Sequence, residues 1–188
     1  TSFGLLVAYE EGADVIIELD DDVKPVKNVA LINQHIMNLY ESNGVTVYNE
    51  NGRWYNTLEN LALNGFYNVF PRGHPYAPET RVENYSWVKE GGDCVLNMGL
   101  WIGNPDLDAV TILYNGGING KCSIESLRLK RDKVIVGKGV YFAICSMNTS
   151  FKRGIVPAFY QLYMNHMGID RFDDIWSGIF LKKISDHI

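Results

Sequence analysis

Asp20, Asp21 and Asp22 follow the apolar run Val15 to Leu19 without a break. Three adjacent carboxylates repel one another unless a cation offsets them or water screens them. In open α/β sheets ligands collect at the carboxyl ends of strands, which is where this triplet stands. If the chain stays extended, alternation puts Asp20 and Asp22 on one side and Asp21 on the other. Two carboxylates on one side suit a hard divalent cation, Mg²⁺ or Mn²⁺, which would in turn neutralise a diphosphate. The alternative is a solvated turn, and the triplet alone does not separate the two. A second acidic pair, Asp173 and Asp174, opens an apolar segment near the end of the chain. A helix dipole favours carboxylates in the first turn, so the pair has a structural explanation beside a chemical one.

Arg72 lies in Pro71-Arg72-Gly73-His74-Pro75. Two prolines stiffen this loop, and Gly73 permits close backbone approach. Arg81 follows downstream, as a phosphate clamp or a surface charge. His35, His74, His166 and His187 form no HxxxH or similar pair. His35 falls in a helical pattern and is expected to pack or cap locally, and His187 to be structural. Cys94, Cys122 and Cys145 are odd in number, widely spaced and without a CxxC or Cys/His metal pattern. They read as unpaired thiols in a reducing compartment, with Cys145 as a small buried hydrophobe.

The elements that must position these residues are partly legible. "SFGLLVAYEEGA" reads as a helix capped by Ser2, with Leu5, Leu6 and Tyr9 on one face and Gly12 as its stop. Val15 to Leu19 reads as a buried strand, and the two together as half of a βαβ unit. "NVALINQHIMNLYES" reads as a helix with Val29, Ile32, Ile36 and Leu39 at helical spacing. "VTVYNENGRWYNTL" suggests a hairpin turning near Asn51-Gly52. "CVLNMGLWIG" and "VYFAICSMNTSF" read as strands, "FPRGHPYAPETR" as a loop, and "GIVPAFYQLYMNHMG" and "FDDIWSGIFLKKISDHI" as helices. The chain has 188 residues, 46% hydrophobic and 21% charged, enough for one domain with a sizeable core. No apolar stretch nears the ~20 residues of a membrane helix. The net charge of −5 argues against a nucleic-acid partner. No signal peptide is visible, and because Thr1 is not a natural start, the true N-terminus is expected upstream.

Taken together, "IIELDDDV", "NQHIMNL", "FPRGHPY", "GLWIGNPDLDA", "CSMNTSF" and "RFDDIWSGIFLKKISDHI" resemble, in this order, the reversibly glycosylated polypeptides, the UDP-arabinopyranose mutases and their relatives. "GLWIGNPDLDA" and "RFDDIWSG" are the most specific of these, since generic fold patterning explains neither. The resemblance implies an α/β fold, a GT-A-like mixed sheet flanked by helices, over residues 1–188 as a single domain. It further implies a longer parent chain, because part of the N-terminal nucleotide-binding half is not in this sequence. "DDD" then stands as a DxD motif, with Asp20 and Asp22 as ligands of Mn²⁺ or Mg²⁺. Asp21 would hydrogen-bond a ribose or brace the loop. Arg72 matches the family's glycosylated arginine, although the spacing to Arg81 is longer than in plant members. Asp173 or Asp174 would take a proton or hold a sugar hydroxyl, and Trp101 would form a sugar-stacking wall or belong to the core. The implied activity is a UDP-sugar mutase that interconverts pyranose and furanose forms with reversible self-glycosylation. The alternatives are a metal-dependent glycosyltransferase with an external acceptor and a non-catalytic self-glycosylated interaction protein. A UDP-sugar ligand, no membrane span, homo- or hetero-oligomers with family members, and a cytoplasmic location, Golgi-peripheral in a eukaryote, complete the expectation.

Overall fold

In a computed structural model, residues 2–65, 67–119, 122–161, 168–169 and 172–188 are described. The architecture is mixed α/β with small sheets and several helices, as the resemblance implied and consistent with a GT-A-like domain. Contacts group the chain into two compact units. The first comprises Thr1–Gly44, Glu90–Gly99 and Ile144–Ile188, the second Val45–Lys89 and Leu100–Ala143. Among the described residues no helix is long and apolar enough to cross a membrane.

The first unit is built on a three-stranded antiparallel sheet. Strand β8 (Asn148–Lys152) lies between β1 (Val15–Leu19) and β5 (Leu96–Met98). Alternation along β8 divides its faces. Phe151 points into an apolar cluster with Ile16, Leu5 of α1 (Ser2–Glu10), Phe159 and Leu181 of α4 (Asp173–Ser185). Asn148 and Ser150 point the other way, toward α2 (Leu31–Tyr40). The expected helices at both ends of the chain and the strand at Val15 to Leu19 are present. Gly12 adopts φ 82° after α1, the left-handed stop that its type suggested.

Several expectations are corrected. β1 lies at an edge of this sheet, antiparallel to β8, and only Ile16 is buried in it, so α1 and β1 are not half of a parallel βαβ unit. Of the expected α1 face, Leu5 is buried in the core and Tyr9 packs against it, but Leu6 is exposed. Of the α2 stripe, Val29, Ile32 and Ile36 are exposed while His35 and Leu39 are buried. The cause is the sheet face opposite. His35 Nδ1 pairs with Ser150 Oγ at 2.8 Å and with Asn97 Nδ2 at 2.8 Å, and His35 Nε2 with Asn148 Oδ1 at 2.8 Å. A polar sheet face selects the polar side of the helix, because unpaired buried polar groups are costly. His35 thus packs locally, as expected.

In the second unit β2 (Val45–Asn49) lies between antiparallel β4 (Tyr85–Val88) and parallel β7 (Val134–Val136). The core here is Val47, Tyr55 and Val140, with Tyr85 and Trp87 edge-on to Tyr55. A two-stranded ladder of β3 (Leu61–Leu63) and β6 (Ser126–Leu129) covers a second cluster of Leu58, Leu61, Val69, Leu107 and Ile124. The expected hairpin at Asn51-Gly52 does not form, since both edges of β2 are taken. The returning chain pairs Tyr55 N–H with the Tyr141 carbonyl at 2.7 Å instead. The expected strands at Cys94 to Gly103 and Val140 to Phe151 shorten to Leu96–Met98 and Asn148–Lys152. In the latter, Ala143, Ile144 and Cys145 are an apolar run buried without strand pairing. The segment expected as a helix from Gly154 begins as a 3₁₀ turn, Arg153–Ala158, with Pro157 inside it. Phe159, Tyr160 and Gln161 follow it without helix, and 162–167, with His166, lie outside the described residues.

Candidate functional site

The acidic triplet sits where β1 ends. Asp20 N–H donates to the Met147 carbonyl at 3.0 Å, and Val23 N–H to the Asp20 carbonyl at 3.2 Å. The second bond closes a four-residue turn with Asp21 and Asp22 at its centre. All three aspartates are exposed. The extended alternation therefore stops at Leu19, and the relation of Asp20 to Asp22 is set by a turn rather than by a strand face.

The second acidic motif belongs to the same unit. Asp173 is half-buried in the first turn of α4 and Asp174 is buried. Ile175 N–H donates to Asp174 Oδ1 at 2.9 Å and Ser146 N–H to Asp174 Oδ2 at 3.3 Å. Ser146 and Met147 thus join the two motifs: one donates to Asp174, the other accepts from Asp20. Glu18 on β1 registers both. Burial pushes its carboxyl up to about 7, the Gln161 amide opposes this, and the charges of Asp20 and Asp174 push it further up. Asp20 and Asp174 are thereby within electrostatic reach of one glutamate that sequence reasoning did not single out.

The arginine loop belongs to the second unit. His74 N–H donates to the Pro71 carbonyl at 3.1 Å, and Gly73 has φ 88°, the arrangement of a type II turn with Arg72 at its second position. This turn is pinned to the segment Asp106 to Asp108. Arg72 N–H donates to the Asp106 carbonyl at 3.1 Å, Asp108 N–H to the Phe70 carbonyl at 3.0 Å, and Pro71 bridges Leu107. Side chains repeat the pairing: Arg72 Nε donates to Asp106 Oδ2 at 2.9 Å, with both side chains partly exposed.

Arg81 is embedded in the same loop. Its Nε donates to the Pro75 carbonyl at 3.0 Å and its Nη2 to Asp108 Oδ2 at 3.5 Å. Its guanidinium lies 4.2 Å from the Phe70 ring centre and 4.7 Å from that of Tyr76. These contacts brace the loop, through cation–π attraction among others. Asp108 is buried and also caps α3 (Ala109–Tyr114), accepting from Thr111 N–H at 2.9 Å. His74 packs edge-on against Trp54 and tilted against Phe70, and its Nε2 bonds the Thr80 carbonyl at 2.8 Å. Burial, with the Arg81 cation adding to it, lowers its pKa to about 4. Trp101 is half-buried, and its buried Nε1 has no partner among the described residues. His187 is exposed at the end of α4.

Asp106 and Asp108 are the residues that sequence reasoning passed over. The signal was present: "NPDLDA" alternates two acids, and a loop with two arginines needs compensating charge. Each arginine meets one of them.

The profile of the reversibly glycosylated polypeptide family matches residues 1–188. The chain belongs to this family. UDP-arabinopyranose mutase 2 of Arabidopsis thaliana is 30% identical over 193 aligned residues, covering 99% of this chain and 46% of that protein. UDP-arabinopyranose mutase 1 of Oryza sativa subsp. japonica is 28% identical, with 99% and 45% covered. Probable UDP-arabinopyranose mutase 1 of Zea mays is 28% identical with the same coverage. The chain therefore spans less than half the length of these members of the reversibly glycosylated polypeptide family.

Proposed function

We propose that the protein acts as a UDP-sugar mutase, interconverting the pyranose and furanose forms of a UDP-pentose, with the sugar carried transiently on Arg72. The observation that carries this reading is the match along the whole chain to the family, with relatives named for that activity. The partly exposed Arg72, aimed by a stiff turn, supports its role as acceptor.

The carboxylates of Asp20 and Asp22 are the residues that would hold a divalent cation. Their chemistry fits: exposed hard oxygen donors suit Mn²⁺ or Mg²⁺. Among the described residues no group of three His, Cys, Asp or Glu converges on one point, so oxygens of the ligand and water would complete the shell. When bound, the cation would neutralise the diphosphate leaving group. Asp21, at the turn's centre, would accept from a ribose hydroxyl or brace the loop. Asp173 would accept from a sugar hydroxyl or take a proton, a role that its half-buried side chain supports better than that of Asp174, which is buried and accepts from two backbone N–H groups. Arg81 keeps the loop in shape and offers the phosphates what remains of its charge. The orphaned N–H of Trp101 makes it a candidate donor as well as a stacking wall.

The test is incubation with UDP-arabinopyranose and Mn²⁺, followed by chromatographic separation of the nucleotide sugars. The furanose form should accumulate to a fixed ratio from either direction. Transfer only to an added acceptor, with no ring-size change, would replace this reading by an ordinary glycosyltransferase. A stable sugar adduct with no released product would replace it by a self-glycosylated binding protein.

A further inference from the structure

The geometry points to Asp106 as the positioning residue of Arg72, holding the guanidinium through Nε and receiving the proton that glycosylation releases. This rests on the reading of Arg72 as the sugar acceptor. A guanidinium is a poor nucleophile because its nitrogen lone pairs are delocalised over the fork and it holds its proton at ordinary pH. Transfer forms a bond from C1 of the sugar to a nitrogen of Arg72. It breaks the bond from C1 to the diphosphate oxygen, whose electron pair leaves with UDP. The glycosylated guanidinium keeps its single positive charge, so one proton must depart. The carboxylate in place to receive it is Asp106, whose Oδ2 lies 2.9 Å from Arg72 Nε. In the return step the same proton goes back and the guanidinium is restored.

Two features make Asp106 more than a surface partner. First, an Nε–H to carboxylate bond fixes the plane of the fork, so the Nη nitrogens keep one direction relative to the turn. Second, aim and loop shape are separable here. The loop is registered by backbone bonds, Arg72 N–H to the Asp106 carbonyl and Asp108 N–H to the Phe70 carbonyl, which the Asp106 side chain does not make. Its neighbour Asp108 carries the structural duty instead: it is buried, caps α3 and holds Arg81. Two acids two residues apart on a bridged segment thus serve two arginines, the half-buried Asp106 pairing with Arg72 and the buried Asp108 with the loop-bracing Arg81.

The experiment compares Asp106→Asn, which keeps size and an acceptor oxygen but removes the charge, with Asp106→Glu and the parent protein. Intact mass spectrometry follows the rate of sugar addition from UDP-arabinopyranose with Mn²⁺, peptide mapping locates the adduct, and calorimetry gives UDP affinity. Asp106→Asn should slow addition roughly 10²-fold, in the range of lost positioning and proton transfer. UDP affinity and thermal midpoint should stay at the parent values, and Asp106→Glu should recover part of the rate. An undiminished rate in Asp106→Asn, or a loss matched by an equal fall in UDP affinity, would overturn the assignment. An adduct in the parent that maps away from Arg72 would overturn the acceptor reading itself, and this assignment with it.

Discussion

Arg72 and Arg81 show how little residue type alone decides. Both are arginines of one loop, yet Arg81 is stacked on Phe70 and Tyr76 and tied to the buried Asp108, whereas Arg72 pairs with the half-buried Asp106. Arg72→Lys keeps a charge but loses the fork. If Arg72 is the acceptor, the variant should bind UDP normally and show no sugar adduct by mass spectrometry. An undiminished adduct would show that the wrong residue was chosen. At the triplet, Asp20→Asn and Asp22→Asn should each weaken Mn²⁺-dependent UDP binding roughly tenfold, about 1.4 kcal/mol, by calorimetry. Unchanged affinity in both would remove the metal site. His74 gives a pH prediction. Its pKa falls from 6.5 to about 4 on folding. Between those values the unfolded chain binds the proton more readily, so the neutral ring's contribution is complete above 6.5 and is lost as pH falls toward 4. The difference is on the order of 3 kcal/mol. Denaturant titrations across that window should show a shallower pH slope in His74→Phe than in the parent.

At the scale of elements, sequence periodicity told helix from strand better than it told inside from outside. The segments that become α1, β1, α2 and α4 were recognisable because local type and spacing carry that information. The buried side of α2 was not, since it depends on Asn97, Asn148 and Ser150, which reach the helix only after the sheet has formed. The hairpin after β2 failed for a related reason, because β4 and β7 compete for the same edges. α4 offers a test of packing over propensity. A Cβ on Gly178 would come within 2.5 Å of Ile144 Cβ. Alanine is the better helix former by about 1 kcal/mol, yet forcing a methyl into this contact costs about 1–3 kcal/mol. Gly178→Ala should therefore lower the thermal midpoint, and a rise would show that the helix can move aside.

For the whole molecule, charge frames the expected chemistry. A chain of net charge −5 repels a nucleotide diphosphate, so its affinity should depend on a cation. Chelation should abolish UDP binding in calorimetry while leaving the ligand-free thermal midpoint unchanged, since the buried clusters of both units are apolar side chains. A midpoint that drops with the chelator would assign the cation a structural part instead. Family membership, the mixed α/β class, the acidic motifs and the arginine loop were all readable from the order of residues, because motifs and periodicity are properties of contiguous stretches. The partners were decided only by tertiary structure. Hydrogen bonds and ion pairs act over a few ångströms, and folding alone brings Asp106 to Arg72, Asp108 to Arg81, and the Ser146-Met147 turn between Asp20 and Asp174.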